Sequence, residues 1–108
     1  MTTFDERQKG FEKKFAMDQD LKFRAESRRN KMIAEWAAGK LGITGAALDD
    51  YIKAVRKADL EEKGDDDVFR KIRGDLDAKG VAATDAEIRE AMLKFLETAV
   101  SQIQGESK

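Results

Sequence analysis

No proline occurs anywhere in the 108 residues, so the commonest helix stop is missing and only glycines and caps can punctuate the chain. Glycine marks fall at 39–45, at 64 and at 80. Between them the residues are mostly Ala, Lys, Glu, Leu, Met and Arg, which favour helix; β-branched and aromatic strand formers are sparse and scattered. The expected class is all-α.

Caps and periodicity place the elements. Thr3 with Glu6 has the S/T-x-x-E spacing of a capping box, in which each side chain serves the other's orphan amide. Helical character then runs to the glycines near 39–42, with Gly10 a soft spot costing ~1 kcal/mol relative to alanine. Thr44 is the expected cap of a second helix, with Leu48, Tyr51, Ile52, Val55 and Ala58/Asp59 on its inner face. Asp65-Asp66-Asp67 opens a third helix that turns Phe69, Ile72 and Leu76 inward. Thr84 with Glu87 repeats the capping box and starts a fourth, with Ile88, Met92, Phe95, Ala99 and Ile103 as its stripe. Short connections suit a four-helix bundle with helices at about 21–41, 45–62, 66–79 and 85–104, a bundle domain over residues 21–108.

A continuous helix over 4–41 would span about 57 Å, roughly twice its three partners. Either it breaks or its front projects. Met32, Ile33, Trp36, Ala37 and Leu41 form a dense core stripe, whereas the stretch KFRAESRRNK upstream is charged. Lys22 and Arg29 nevertheless fall on the stripe's azimuth at about 100° per residue. Phe4, Phe11 and Phe15 return to that azimuth within about 40° of one another. The expectation is a mobile or loosely helical N-terminal arm, residues 1–20, set off from the bundle by a charged spacer. Its aromatic face either anchors a partner groove or folds back onto the bundle as core.

Composition removes most chemistry. Cysteine and histidine are both absent. Disulfides, thiolates, His-based metal sites, Ser-His or Cys-His nucleophile pairs and imidazole pH switching all go with them. The adjacent carboxylates Asp49-Asp50 and Glu61-Glu62 point to different helix faces. The Asp65–Asp67 run fails the calcium-loop register, because Phe69 and Arg70 follow where ligands should stand. No enzyme activity, no metal and no cofactor are expected. A signal peptide and a membrane span are missing from the pattern, so the expected location is cytoplasmic.

Charge is uneven. Residues 1–31 carry nine Lys/Arg against six Asp/Glu, on a chain whose net charge is −1. Arg24, Arg28, Arg29 and Lys31, with Lys22, could grip phosphate, giving an alternative reading as a nucleotide- or nucleic-acid-binding helical module. Interleaved Asp18, Asp20 and Glu26 and a pI near 5.6 make a solvated face the simpler account and nucleic acid an unpromising partner.

At the arm and the charged stretch the residues take on a family likeness. Phe4-Asp5-x-Arg7, Phe11-Glu12-x-Lys14-Phe15-Ala16, Asp18, Phe23-Arg24, Arg28-Arg29-Asn30-Lys31 and Trp36-Ala37-Ala38 resemble the zeta subunit of alphaproteobacterial F-type ATP synthases. The likeness continues through Tyr51, Val55, Ala58-Asp59, Gly64, Asp67-Val68 and Arg70-Lys71-Ile72, and reaches the last helix by pattern only. Ser27 and the acidic Asp65–Asp67 run depart from the usual family pattern. The resemblance implies a four-helix bundle whose N-terminal segment inserts between catalytic and non-catalytic subunits of the enzyme's head and blocks ATP hydrolysis. It implies Phe4, Arg7, Phe11, Glu12, Lys14 and Phe15 as the contacts, and a place at the inner membrane held only through the synthase. The free protein is expected to be monomeric, with at most weak nucleotide binding to the bundle.

Overall fold

Glycine, not proline, does end the first helix. In the computed structural model, which describes residues 19–61 and 66–106, α1 runs Gln19–Leu41 and stops where Gly42 turns to φ 75°. The Ile43 amide then donates back to the Ala38 carbonyl at 2.9 Å, the six-to-one bond of a Schellman motif. The third helix ends the same way. Gly80 sits at φ 72°, its amide donates to Asp77, and Val81 donates to the Leu76 carbonyl at 2.9 Å. In both turns the residue after glycine, Ile43 or Val81, packs against the core.

The other helices are α2 Ala46–Asp59, α3 Asp66–Ala78 and α4 Asp85–Glu106; no strand occurs among the described residues. The Thr84 capping box forms as expected. The Glu87 amide donates to the Thr84 hydroxyl at 3.1 Å and the Thr84 amide donates to the Glu87 carboxylate at 3.3 Å. The Thr44 cap does not form. Gly45, at φ 64°, takes the N-cap place with no side-chain bond, and its carbonyl accepts from Leu48. Its left-handed geometry suits glycine, so the helix opens one residue later than a Thr44 cap implies. The end of α2 also comes early. The amides of Leu60 and Glu61 close i,i+3 bonds to Lys57 and Ala58, which tightens the last turn instead of carrying the helix to 62.

α1 packs against all three other helices. The principal core takes Ile33, Ala34, Ala37, Ala38 and Leu41 from α1, and Tyr51, Ile52 and Val55 from α2. Val68, Ile72 and Leu76 of α3 and Ile88 and Met92 of α4 complete it. Each fully buried Ile, Leu or Val contributes ~1.5–3 kcal/mol relative to exposure. A second, smaller cluster joins Ala25 of α1 to Ala99, Val100 and Ile103 of α4, with Leu21, Met32 and Leu96 against it.

Helix length explains the two clusters. α1 and α4 have 23 and 22 residues, α2 and α3 only 14 and 13. The long pair therefore outreaches the short pair by roughly 13 Å at the helical rise. All four helices meet in a lower tier; above it α1 and α4 continue as an antiparallel pair. The stretch expected to be a charged spacer is part of this upper tier, since Ala25, Arg29 and Asn30 are buried. Two things make that burial tolerable. Ala25 is small enough to let α4 approach, and Arg29 and Asn30 meet polar partners.

Candidate partner-binding surface

The contact residues expected on the arm, Phe4, Arg7, Phe11, Glu12, Lys14 and Phe15, lie outside the described residues. So does the Thr3 capping box. What the structure does describe is the base that would carry them, the upper tier of α1.

The four basic residues singled out there part company. Arg29 is fully buried, and its Nε donates to Asn30 Oδ1 at 2.8 Å. Asn30 Nδ2 in turn donates to Asp59 Oδ2 at 2.8 Å, and Arg29 Nη2 stands 3.8 Å from Asp59 Oδ1. This Arg29–Asn30–Asp59 cluster ties α1 to the last residue of α2. Arg29 is therefore an internal ion-pair partner and does not belong to a surface phosphate grip. Its azimuth on the core stripe was the signal. Arg24, Arg28 and Lys31 remain towards solvent on one face. Arg24 lies 3.9 Å from Asp20, and Arg28 donates to Gln102 of α4 at 3.4 Å. Exposed pairs of this kind contribute ~0–1 kcal/mol.

Polar contacts also set the short helices. The Tyr51 hydroxyl donates to Asp75 Oδ2 at 2.8 Å, and Lys71 Nζ stands 3.1 Å from the same carboxylate and 5.5 Å from the Tyr51 ring. Burial first, then the Asp75 hydrogen bond and charge, push the Tyr51 phenol well above its ordinary value. The proton is locked on, so Tyr51 joins α2 to α3 and is not an acid–base group near neutrality. Arg73 stitches α3 to the head of α4 through Asp77, the Ala83 carbonyl and Asp85. Arg89 lies 4.0 Å over the Phe69 ring and 3.0 Å from Asp66, joining α4 to the start of α3. In the acidic run, Asp67 accepts the Val68 amide at 2.8 Å, a helix-start role.

Among the described residues no three Asp or Glu side chains converge on a point where a metal could sit. None of the described helices is long and apolar enough to cross a membrane. What stands out instead is apolar exposure. Phe23 is 66% exposed and Leu60 is 78% exposed, the two large hydrophobics left open among the described residues.

Similarity to known proteins decides the family. The family model for ATPase inhibitor subunit zeta matches residues 1–102. The chain belongs to the ATPase inhibitor subunit zeta family. That match takes in the aromatic N-terminal segment, the first three helices and most of α4 of this zeta-family chain. A solution NMR structure is 41% identical, with a TM-score of 0.68, covering 80% of this chain and 98% of its own. No curated protein matches the chain. The resemblance drawn from the arm and charged-stretch residues and the family match agree on the family.

Proposed function

We propose that this zeta-family chain inhibits ATP hydrolysis by seating its N-terminal segment between catalytic and non-catalytic subunits of an F-type ATP synthase head. The observation that carries this reading is the reach of the family match, which spans residues 1–102 and so includes the segment with Phe4, Phe11 and Phe15. Three aromatic rings at helical spacing suit an apolar groove, where each supplies a large buried area. Arg7, Glu12 and Lys14 lie off that face and would fix register and orientation through charge.

The mechanism needs a wedge and no bond chemistry. A rotary enzyme must open and close the interfaces between its head subunits. A helix held in one of them adds a cost to every opening. Any ordering of the segment is offset by burial of the Phe rings, and the bundle keeps the exit end of the segment from being drawn through. The bundle stays on the cytoplasmic face, held at the membrane only through the synthase. Absence of histidine means that pH control of this inhibition cannot run through imidazole.

The test is a chain lacking residues 1–18. The helicity of its bundle and its melting should stay largely those of the full chain, since the described core begins at Leu21. Inhibition of ATP hydrolysis by the isolated head should be abolished. Undiminished inhibition by the shortened chain would falsify the reading.

A nucleotide reading is not favoured by the geometry. With Arg29 interior, Arg24 beside Asp20 and Arg28 beside Gln102, the expected phosphate grip of Arg24, Arg28, Arg29 and Lys31 does not assemble.

A further inference from the structure

We infer that residues 98–106, the upper end of α4, are a strap that lifts from α1 about Thr98 while α1 itself stays fastened to α2. This opening belongs to the bundle and does not depend on what the N-terminal segment binds.

The strap leans on α1. Its buried side chains, Ala99, Val100 and Ile103, belong to the cluster shared with α1, and α2 and α4 scarcely touch. On α1 the facing stripe is Leu21, Ala25, Arg28 and Met32, spaced at three and four residues along one side of the helix. Ala25 and Ala99 bring little apolar surface to this seam. Across it Arg28 donates to Gln102 Oε1 at 3.4 Å, a long and exposed bond that adds little. Below Thr98 the same helix is held from several sides. Ile88 and Met92 sit in the principal core with Phe95 against it, and Asp85 and Arg89 are tied to α3.

α1 has a second hold at the level of the seam. Arg29 and Asn30 reach Asp59 at the end of α2, so the loss of α4 from its flank leaves α1 clamped near its middle. The two sides of one seam therefore differ in what remains when it opens. Thr98 marks the joint. It stands between Phe95, the last α4 residue packed on the lower core, and Ala99 of the upper cluster. Its hydroxyl donates to the Lys94 carbonyl at 2.9 Å. A threonine that bonds back to the i−4 carbonyl shares that oxygen with the helix's own amide and favours a bend there. A helical end as short as 98–106, once stripped of packing, is too short to persist as helix in water. Lifting therefore melts it and bares Leu21, Ala25 and Met32.

The test is amide exchange of the free full chain, followed residue by residue by NMR at urea concentrations below global unfolding. Amides of residues 101–105 should share one opening, about 100-fold more frequent than that of residues 89–93. Residues 28–31 of α1 should open about tenfold less often than the strap. One common opening for both sides of the seam, or strap amides that exchange only with global unfolding, overturns the inference. Asp59→Ala removes the second hold, and residues 28–31 should then open within about threefold of the strap. Should that variant not fold, Asp59→Asn, which removes the charge and keeps an acceptor for Asn30, should shift residues 28–31 the same way by a smaller factor. Residues 28–31 that keep their protection in a folded variant overturn the inference, because the hold on α1 would not come from α2. Thr98→Val keeps the shape and removes the hydroxyl bond, so strap opening should slow about two- to threefold with residues 89–93 unchanged. An unchanged or faster opening rules out the joint at Thr98.

Discussion

The two tiers of the bundle are built from the same kinds of helix but held by different means. In the lower tier four helices surround Ile33, Val55, Ile72, Leu76 and Ile88, each fully buried. In the upper tier only α1 and α4 meet, chiefly through Ala25, Ala99, Val100 and Ile103, and the tie to α2 is polar. A large core on four elements resists local opening; a thin seam between two does not. The contrast separates stability, which resides below, from recognition, which the proposed function assigns to the end of α1 that leads into residues 1–18.

The sharpest way to break this comparison is to make the same cut in each tier. Ile72→Ala should cost about 4 kcal/mol, near the top of the usual range for buried Ile, because its cavity is walled on every side. Ile103→Ala should cost about 2 kcal/mol, because two helices can close on the gap more easily than four. Urea unfolding measures both, and equal losses would remove the distinction between tiers.

Next in size is the polar tie. Asp59→Ala takes away the carboxylate that both Asn30 and the buried Arg29 face, at a cost of about 2 kcal/mol. Amide exchange should quicken more over residues 19–31 than over 33–41. A uniform change along α1 would mean that the cluster does not hold the upper tier in particular. Gly42→Ala, in the lower turn, should cost about 1–2 kcal/mol from left-handed strain alone, since a Cβ there meets no other atom within 4 Å.

The smallest effect is in alkali. The Tyr51 phenol is raised in the folded chain, so above pH ~10 the unfolded chain loses its proton first and folding weakens as pH climbs towards the native value. Below pH ~10 that contribution is fully present. The fall in melting temperature between pH 9 and 11 should therefore be shallower in Tyr51→Phe than in the wild type. Matching slopes would show that the Tyr51–Asp75 bond does not couple α2 to α3.

Much of the lower tier could be read from the residues because its stripes are local. Tyr51, Ile52, Val55, Ile72, Leu76, Ile88 and Met92 repeat at helical intervals, and each faces inward. The Thr84 box was legible because both its members lie within one turn. Thr44 misled because a hydroxyl before a helix is only permissive, and the neighbouring glycine could take the turn at lower strain. The upper tier was harder to read. The azimuth of Arg29 hinted at burial, but its polar partner could not be read, because Asp59 lies twenty-nine positions past Asn30. The polar tie is not encoded in any one stretch of chain.

The most direct measurement is hydrogen exchange on the full chain, free and bound to the isolated F-type head. New protection confined to residues 1–27, with α3 and the first half of α4 unchanged, is the predicted result. Protection centred instead on α3 or on the first half of α4 would contradict the division between a tier that stabilises and a tier that binds.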